Sequence, residues 1–267
     1  MIFLPCPFCD GPSYLAITLP AHRVVACRRC RIARTEPPPP SIPYEDEDFH
    51  AAFPFTSLDA LPPTWRRGLD LQAALLRRHL GPGARVLEVG CGQGFFLEAL
   101  RRAGIAARGI EPSKSAAAAA RQDGHEVATG YFNHASCPGP YDAIVLAQVF
   151  EHIEKPTALL ADIAASAPGG LVLLVQANWR GLVPLKNRAN WYAWAPTHHY
   201  WHFAAPGLSR WLATLGFDPV AVEYSSLEHR GYWLDRLARF VPRGGDQFHL
   251  LARVPARGLQ AGAPFQP

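Results

Sequence analysis

The sequence is poor in long apolar stretches, in internal repetition and in methionine. No apolar run approaches the roughly 20 residues that span a bilayer, so no membrane-spanning helix is expected. The opening Met1-Ile-Phe-Leu-Pro-Cys6 has neither a basic segment nor a long apolar one, so it is not expected to act as a secretory leader, and a cytoplasmic location is the default. No repeat is evident, which argues against a solenoid. The single methionine, set against abundant arginine, proline and alanine, reads as compositional bias. A large charge excess is also missing: net charge is +4, which by itself does not argue for nucleic acid as a partner. What remains is a chain of 267 residues with 49% apolar content, enough for one large α/β domain and a small accessory module.

Six cysteines fall into two sets. Cys91 and Cys137 stand alone and read as small buried residues. Cys6, Cys9, Cys27 and Cys30 form two C-x2-C knuckles separated by 17 residues, the spacing of a four-thiolate zinc ribbon. Two disulfides are the rival, disfavoured in a cytoplasmic setting. A redox pair would need a βαβ context that the flanking sequence lacks. With four cysteines at one zinc ion no coordination position stays open, so the expected Zn2+ is structural. Between the knuckles, residues 13–18 and 23–26 can form a hairpin. A module this small depends on its metal for folding energy.

Residues 1–35 are read as the ribbon, 36–57 as a proline-rich and acidic linker, 58–254 as the main domain and 255–267 as a flexible tail. In the linker, Tyr44-Glu-Asp-Glu-Asp-Phe49 reads most simply as solvated chain. A sharper reading makes it a lid, with Tyr44 or Phe49 closing a pocket. In the main domain a helix is expected over 65–80. Strands follow near 84–89, 106–111, 125–129, 141–147 and 171–177, with helices between them. Two last strands are expected at 219–224 and 247–254, flanking a helix at 229–240. Alternating strands and helices imply a parallel sheet with right-handed crossovers.

The chemistry concentrates at Glu88-Val-Gly-Cys-Gly-Gln-Gly94, between a predicted strand and a predicted helix. Glycines at 90, 92 and 94 keep Cβ atoms away from a ligand, and the following helix offers free N–H groups. The spacing is G-x-G-x-G, not the G-x-G-x-x-G of pyrophosphate binders. Glu88 would repel a diphosphate and suit a cationic or amine-bearing ligand. The plain alternative is a tight turn without a ligand. Glu111 lies 21 residues after Gly90, where an acid accepts hydrogen bonds from ribose hydroxyls. Ser113 is a candidate cap for the next helix.

This stretch resembles motif I of the class I S-adenosylmethionine-dependent methyltransferases. Gly109-Ile-Glu-Pro-Ser113, Phe150-Glu-His-Ile-Glu-Lys-Pro156, the Pro168-Gly-Gly170 turn and His202-Phe203 leading to Leu215-Gly-Phe217 also match. The resemblance implies an α/β fold with a Rossmann-like seven-stranded sheet in order 3-2-1-4-5-7-6, its last strand antiparallel, behind a small N-terminal zinc ribbon. It implies S-adenosylmethionine as cofactor. Gly90, Gly92 and Gly94 would meet its amino-acid end and ribose, with Cys91 in the same loop. Glu88 would face the ammonium, Glu111 and Pro112 would hold the ribose, Gln148 would reach the methionine portion, and Tyr131 and Phe132 would flank the adenine.

Methyl transfer needs a base only when the acceptor holds a proton it will not lose unaided. His152 follows the fourth strand, near the expected methyl position. His198, His199 and His202 sit in Pro196-Thr-His-His-Tyr-Trp-His-Phe203, a segment that caps such sites. Each has a plain alternative as structural polarity, and a second metal at the histidine cluster is a weaker alternative, since H-H-x-x-H lacks a supporting acid. Trp179, Trp191, Tyr192 and Trp194 are candidates for an aromatic acceptor wall, and Arg180, Lys186 and Arg188 for contacts with an anionic acceptor. The favoured function is methylation of a small molecule at O, C or N, in sugar or secondary metabolism. The alternative is an RNA methyltransferase gripping RNA through Arg23, Arg28, Arg29, Arg31 and Arg34, though stacking aromatics are scarce in the ribbon. A third reading, a binding protein with a degenerate catalytic domain, fits poorly with intact Glu88, Glu111 and glycines.

Overall fold

The structure is a computed structural model, described over residues 3–45, 55–226 and 244–259. The helix expected at 229–240, Phe49 of the acidic stretch and the end of the tail (260–267) lie outside the described residues. The chain opens with β1 (Ser13–Thr18), β2 (Arg23–Cys27) and β3 (Ala33–Glu36). Then come α1 (Pro63–Arg77), β4 (Val86–Val89), α2 (Phe95–Arg102), β5 (Ala107–Glu111), α3 (Lys114–Gln122) and β6 (Val127–Thr129). They are followed by β7 (Ala143–Ala147), α4 (Pro156–Ser166), β8 (Leu171–Ala177), α5 (Leu182–Asn187), β9 (Trp201–His202), α6 (Ala205–Thr214), β10 (Asp218–Ser225) and β11 (Gln247–Arg253). Among the described residues no helix is long and apolar enough to cross a membrane.

Helix starts follow local chemistry. Proline occupies the first turn of α1, α4 and α6, where its missing N–H costs nothing. Ser113 caps α3 by accepting the Ala116 N–H. The main sheet has seven strands in order β10-β11-β8-β7-β4-β5-β6. β4 to β8 pair in parallel, while β11 runs antiparallel to both β8 and β10. This is the expected 3-2-1-4-5-7-6 arrangement read from the other edge. The central strands β4 and β7 carry almost wholly buried apolar runs, as a sheet covered on both faces requires. Two apolar clusters fill those faces, one around Phe150, Leu174 and Phe248, the other around Leu76, Val145 and Leu173.

The ribbon is built into this body. β3 pairs antiparallel with β9, completing a four-stranded sheet β1-β2-β3-β9. The boundary expected at residue 35 thus falls inside a strand that shares its hydrogen bonds with residues 201–202. Phe8, between the first two cysteines, packs edge-on against Trp201 and Trp211 with ring centroids 4.7 and 4.6 Å away. Trp179 Nε1 donates to the Arg31 carbonyl at 3.0 Å, and Thr35 Oγ1 donates to the His199 carbonyl at 2.7 Å. The four cysteines belong to the same apolar cluster as Phe203, Leu208 and Trp211. Gly207 of α6 lies so close to the ribbon that an added Cβ would stand 2.2 Å from the Cys30 carbonyl oxygen. Gly207→Ala is therefore expected to force α6 off the second knuckle and cost about 2 kcal/mol, lowering the melting midpoint by roughly 4–8 °C. Differential scanning calorimetry checks this, and an unchanged midpoint would mean that the contact yields freely.

Candidate active site

Strand β4 delivers the chain into the glycine turn at the carboxyl end of the sheet, where ligands bind in open α/β folds. Gly90 has φ +69°, and a Cβ there would sit 2.6 Å from Val149 Cγ2. Gly94 is the N-cap of α2 with φ +86°, and a Cβ there would meet His125 Cδ2 at 2.8 Å. Both positions demand glycine on conformation and on space. The turn is clamped from β5. Glu111 Oε2 accepts the Gly92 N–H at 2.8 Å, and Oε1 accepts the Ser113 N–H at 2.9 Å. One carboxylate thus ties the glycine turn to the start of α3.

Beside the turn lies a cavity of about 260 Å³ with largely apolar walls. Of the residues singled out from sequence, Gly90, Gly92, Glu111, Pro112, Tyr131, Phe132, Gln148 and His152 line it. Glu88, Cys91 and Gly94 do not. Cys91 turns its sulfur toward β5 against Gly109, and burial, with Glu88 and Glu111 nearby, drives its thiol pKa up. Glu88 is 3% exposed beneath the turn, with Oε2 buried and without a partner among the described residues. Burial, reinforced by Glu111, holds its carboxyl well above the usual range.

Gln148 marks the far wall. Its backbone is left-handed, φ +57°, an unusual conformation for a residue with a side chain, held by its N–H bonding to the Val175 carbonyl at 3.0 Å. Its Nε2 is buried without a hydrogen-bond partner among the described residues. A polar donor orphaned on a cavity wall fits a ligand that carries acceptors. Glu88, expected to face the ammonium, does not line the cavity. Gln148, the glycine turn and the apolar flanks of Ile110, Phe132 and Leu159 suit a ligand with a ribose and an aromatic base.

Tyr44 closes one end. Its hydroxyl is 2.9 Å from His152 Nδ1, and its backbone N–H donates to the Tyr131 hydroxyl, which donates in turn to Glu45. Of the two readings of the acidic stretch, solvated chain or lid, the position of Tyr44 at the cavity favours the second. The His152 ring meets that of His199 edge-on at 4.6 Å. Burial, with His199 and His198 nearby, pushes the His152 pKa down to about 3, and burial takes His199 to about 4. Both are neutral near pH 7. His199 is buried and His198 pairs with Thr197 Oγ1; neither lines the cavity. Glu151 was legible only as part of a motif. It is 4% exposed, and burial lifts its carboxyl pKa to about 7. The candidate acceptor wall is mostly structural: Trp179, Trp191 and Trp194 are buried in a cluster against β2 and β3, and Tyr192 is exposed.

A family described as "Methyltransferase domain" matches residues 62–222. The ubiquinone biosynthesis O-methyltransferase of Caulobacter sp. (strain K31) is 32% identical over 154 residues, which is 52% of this chain. The chain spans 60% of the length of that relative. Among solved structures, a SAM dependent methyltransferase from Archaeoglobus fulgidus superposes with TM-score 0.52 at 20% identity, covering 69% of this chain and 94% of that one. Magnesium protoporphyrin IX methyltransferase from Synechocystis PCC 6803, solved with bound SAH, gives TM-score 0.50 at 21% identity over 70% of this chain and 82% of that one. At these identities the two structures bear on the fold alone.

Proposed function

The chain belongs to the methyltransferase-domain family, and from that premise we propose that it is an S-adenosylmethionine-dependent methyltransferase acting on a hydroxyl of a small molecule. The observation that carries the reading is the cavity itself, with a glycine turn clamped by Glu111 on one side and Tyr44 and His152 at the other end. When bound, S-adenosylmethionine supplies a methyl group on a sulfonium, a leaving group already activated. Backbone at Gly90 and Gly92 and the Glu111 carboxylate would hold its amino-acid and ribose parts. Gln148 Nε2 would donate to it, and Tyr131 and Phe132 would flank the base. Tyr44 covers the pocket, which keeps water from competing with the acceptor. His152, half-buried on the cavity wall and neutral, is assigned to handling the acceptor hydroxyl, with the buried His199 edge-on behind it.

A small acceptor is supported from two directions. The curated relative carries an O-methyltransferase name. The ribbon arginines that would grip RNA are largely engaged within the protein. Arg23 and Arg34 both pair with Glu36, Arg28 lies over the Tyr14 ring, and Arg29 reaches the Cys9 carbonyl. Arginines held this way form a poor phosphate track.

Zn2+ is assigned to Cys6, Cys9, Cys27 and Cys30, as a structural ion. The pairs Cys6–Cys30 and Cys9–Cys27 stand 3.5 Å apart, close to the roughly 3.8 Å edge of a tetrahedron with zinc–sulfur bonds of about 2.3 Å. Backbone N–H groups of Arg29 and Cys30 point at Cys27 Sγ, at 3.3 and 3.4 Å, as they do toward a thiolate. A cofactor-consumption screen over phenols, quinone precursors, nucleotide sugars and RNA tests the function. Turnover is expected with a small hydroxyl compound. Methylation confined to RNA, with salt-sensitive binding, would overturn it.

A further inference from the structure

The histidine cluster reads from sequence as lacking an acid, and the fold supplies one. Glu151 ends up beside His152 and His199, with a carboxylate oxygen and one ring nitrogen of each histidine all within 4.8 Å of one another. The three come from two segments, the turn after β7 and the loop before β9. That loop is pinned against the turn, because Tyr200 N–H donates to the Glu151 carbonyl at 3.0 Å and Trp201 Nε1 donates to the Ile153 carbonyl at 2.9 Å.

Glu151 is 4% exposed, and among the described residues neither Oε1 nor Oε2 makes a well-formed hydrogen bond, the Gln176 amide being the polar group beside it. A buried carboxyl with so little to hold it is costly and leaves capacity for a ligand. One of the histidines is already set to donate its lone pair. His199 Nδ1 lies 2.9 Å from the Ala193 carbonyl, which can only accept, so Nδ1 carries the hydrogen and Nε2 keeps its lone pair. His152 Nδ1 is engaged by the Tyr44 hydroxyl at 2.9 Å. Ligating imidazoles are characteristically oriented in this way, through the nitrogen that does not bind the ion. Against Glu151 and His199, though not bordered by His152, is a cavity of about 10 Å³ also lined by Gln176 and His202, room for one small ion or one water.

We propose that Glu151, His152 and His199 form a second metal centre, distinct from the four-cysteine site, that binds a divalent first-row transition ion. Two imidazoles and one carboxylate suit zinc, iron(II), cobalt(II), nickel(II) or manganese(II), and three protein ligands leave coordination positions open. Donor atoms around such an ion stand roughly 3.3 Å apart at bond lengths of 2.0–2.2 Å, so the shell contracts on binding. In doing so Glu151 gives up at most its contact with the Gln176 amide. Because His152 also lines the cofactor cavity, the ion lies at the acceptor end. There it serves as Lewis acid for the acceptor oxygen, with the two histidines as its ligands. That role rests on the hydroxyl-acceptor reading; the binding of the ion does not.

The test counts metal directly. The full chain, with its cysteine site zinc-loaded, is titrated with Zn2+ and separately with Mn2+, Fe2+, Co2+ and Ni2+ by calorimetry, and bound metal is measured after gel filtration. One equivalent beyond the cysteine site is expected in the wild type. Its affinity is expected to fall at least 100-fold in Glu151→Gln and in His199→Gln, with melting midpoints confirming that both variants fold. No second equivalent with any of the five ions would overturn the centre and leave a buried water as the occupant. A second equivalent retained at full affinity in both variants would also overturn it, by placing the ion elsewhere. Neither result bears on whether a hydroxyl compound is methylated, which the screen decides independently.

Discussion

On the zinc assignment proposed above, stripping the metal from the four-cysteine site is expected to abolish methyl transfer and to destabilise the catalytic domain together with the ribbon. A structural zinc contributes apparent binding energy on the order of 10–16 kcal/mol, comparable with the whole stability of a domain. In a ribbon on a flexible tether that loss would stay local. Here Cys6, Cys9, Cys27 and Cys30 share one apolar cluster with Phe203, Leu208 and Trp211, and Phe8 lies between Trp201 and Trp211. The β3–β9 pairing carries the disturbance into the loop that holds His199. Calorimetry on chelator-treated protein and on Cys30→Ser should show one transition, shifted down by more than about 10 °C. A chain that loses its zinc yet melts and turns over normally would refute the coupling.

Glu111→Ala is expected to weaken cofactor binding by at least about 100-fold while leaving the chain folded. The carboxylate accepts from Gly92 and Ser113, and each such charged hydrogen bond is worth about 1.5–3 kcal/mol. Losing both frees the glycine turn and uncouples it from the start of α3, at a cost of about 3 kcal/mol in binding, which is the hundredfold. Glu111→Gln should rescue little, because its amide nitrogen would confront a backbone N–H. Calorimetric titration with S-adenosylhomocysteine reads the effect. Unaltered affinity in a folded Glu111→Ala protein would remove this residue from the site.

Sheet order and glycine turn were legible because they depend on local signals: apolar strand runs, glycine spacing, and an acid at the right distance. The roles inside the turn were less so. Glu88 and Glu111 look alike in sequence, and only the pleat decides that one lies beneath the turn while the other clamps it from the next strand. The integration of the ribbon was not legible either. Its cysteine spacing points to a metal site but says nothing of an edge strand awaiting a partner. The two residues that fill that edge, Trp201 and His202, look like loop polarity when read in line. Glu151 was overlooked for a related reason: an acid beside a histidine in a helix-entry motif is unremarkable until folding sets a second histidine opposite it.

The pairing of β3 with β9 also dictates an order of events at the ribosome. Thr35 and His202, which touch across that junction, are 167 residues apart in the chain. At 5–20 residues per second, the amino-terminal hairpin emerges roughly ten to thirty seconds before the strand that completes its sheet. During that interval the nascent knuckles have no aromatic partner to shield them. With zinc at the four cysteines as proposed, capture of the ion would come first, and the metallated hairpin would wait as a template onto which the later half of the polypeptide closes.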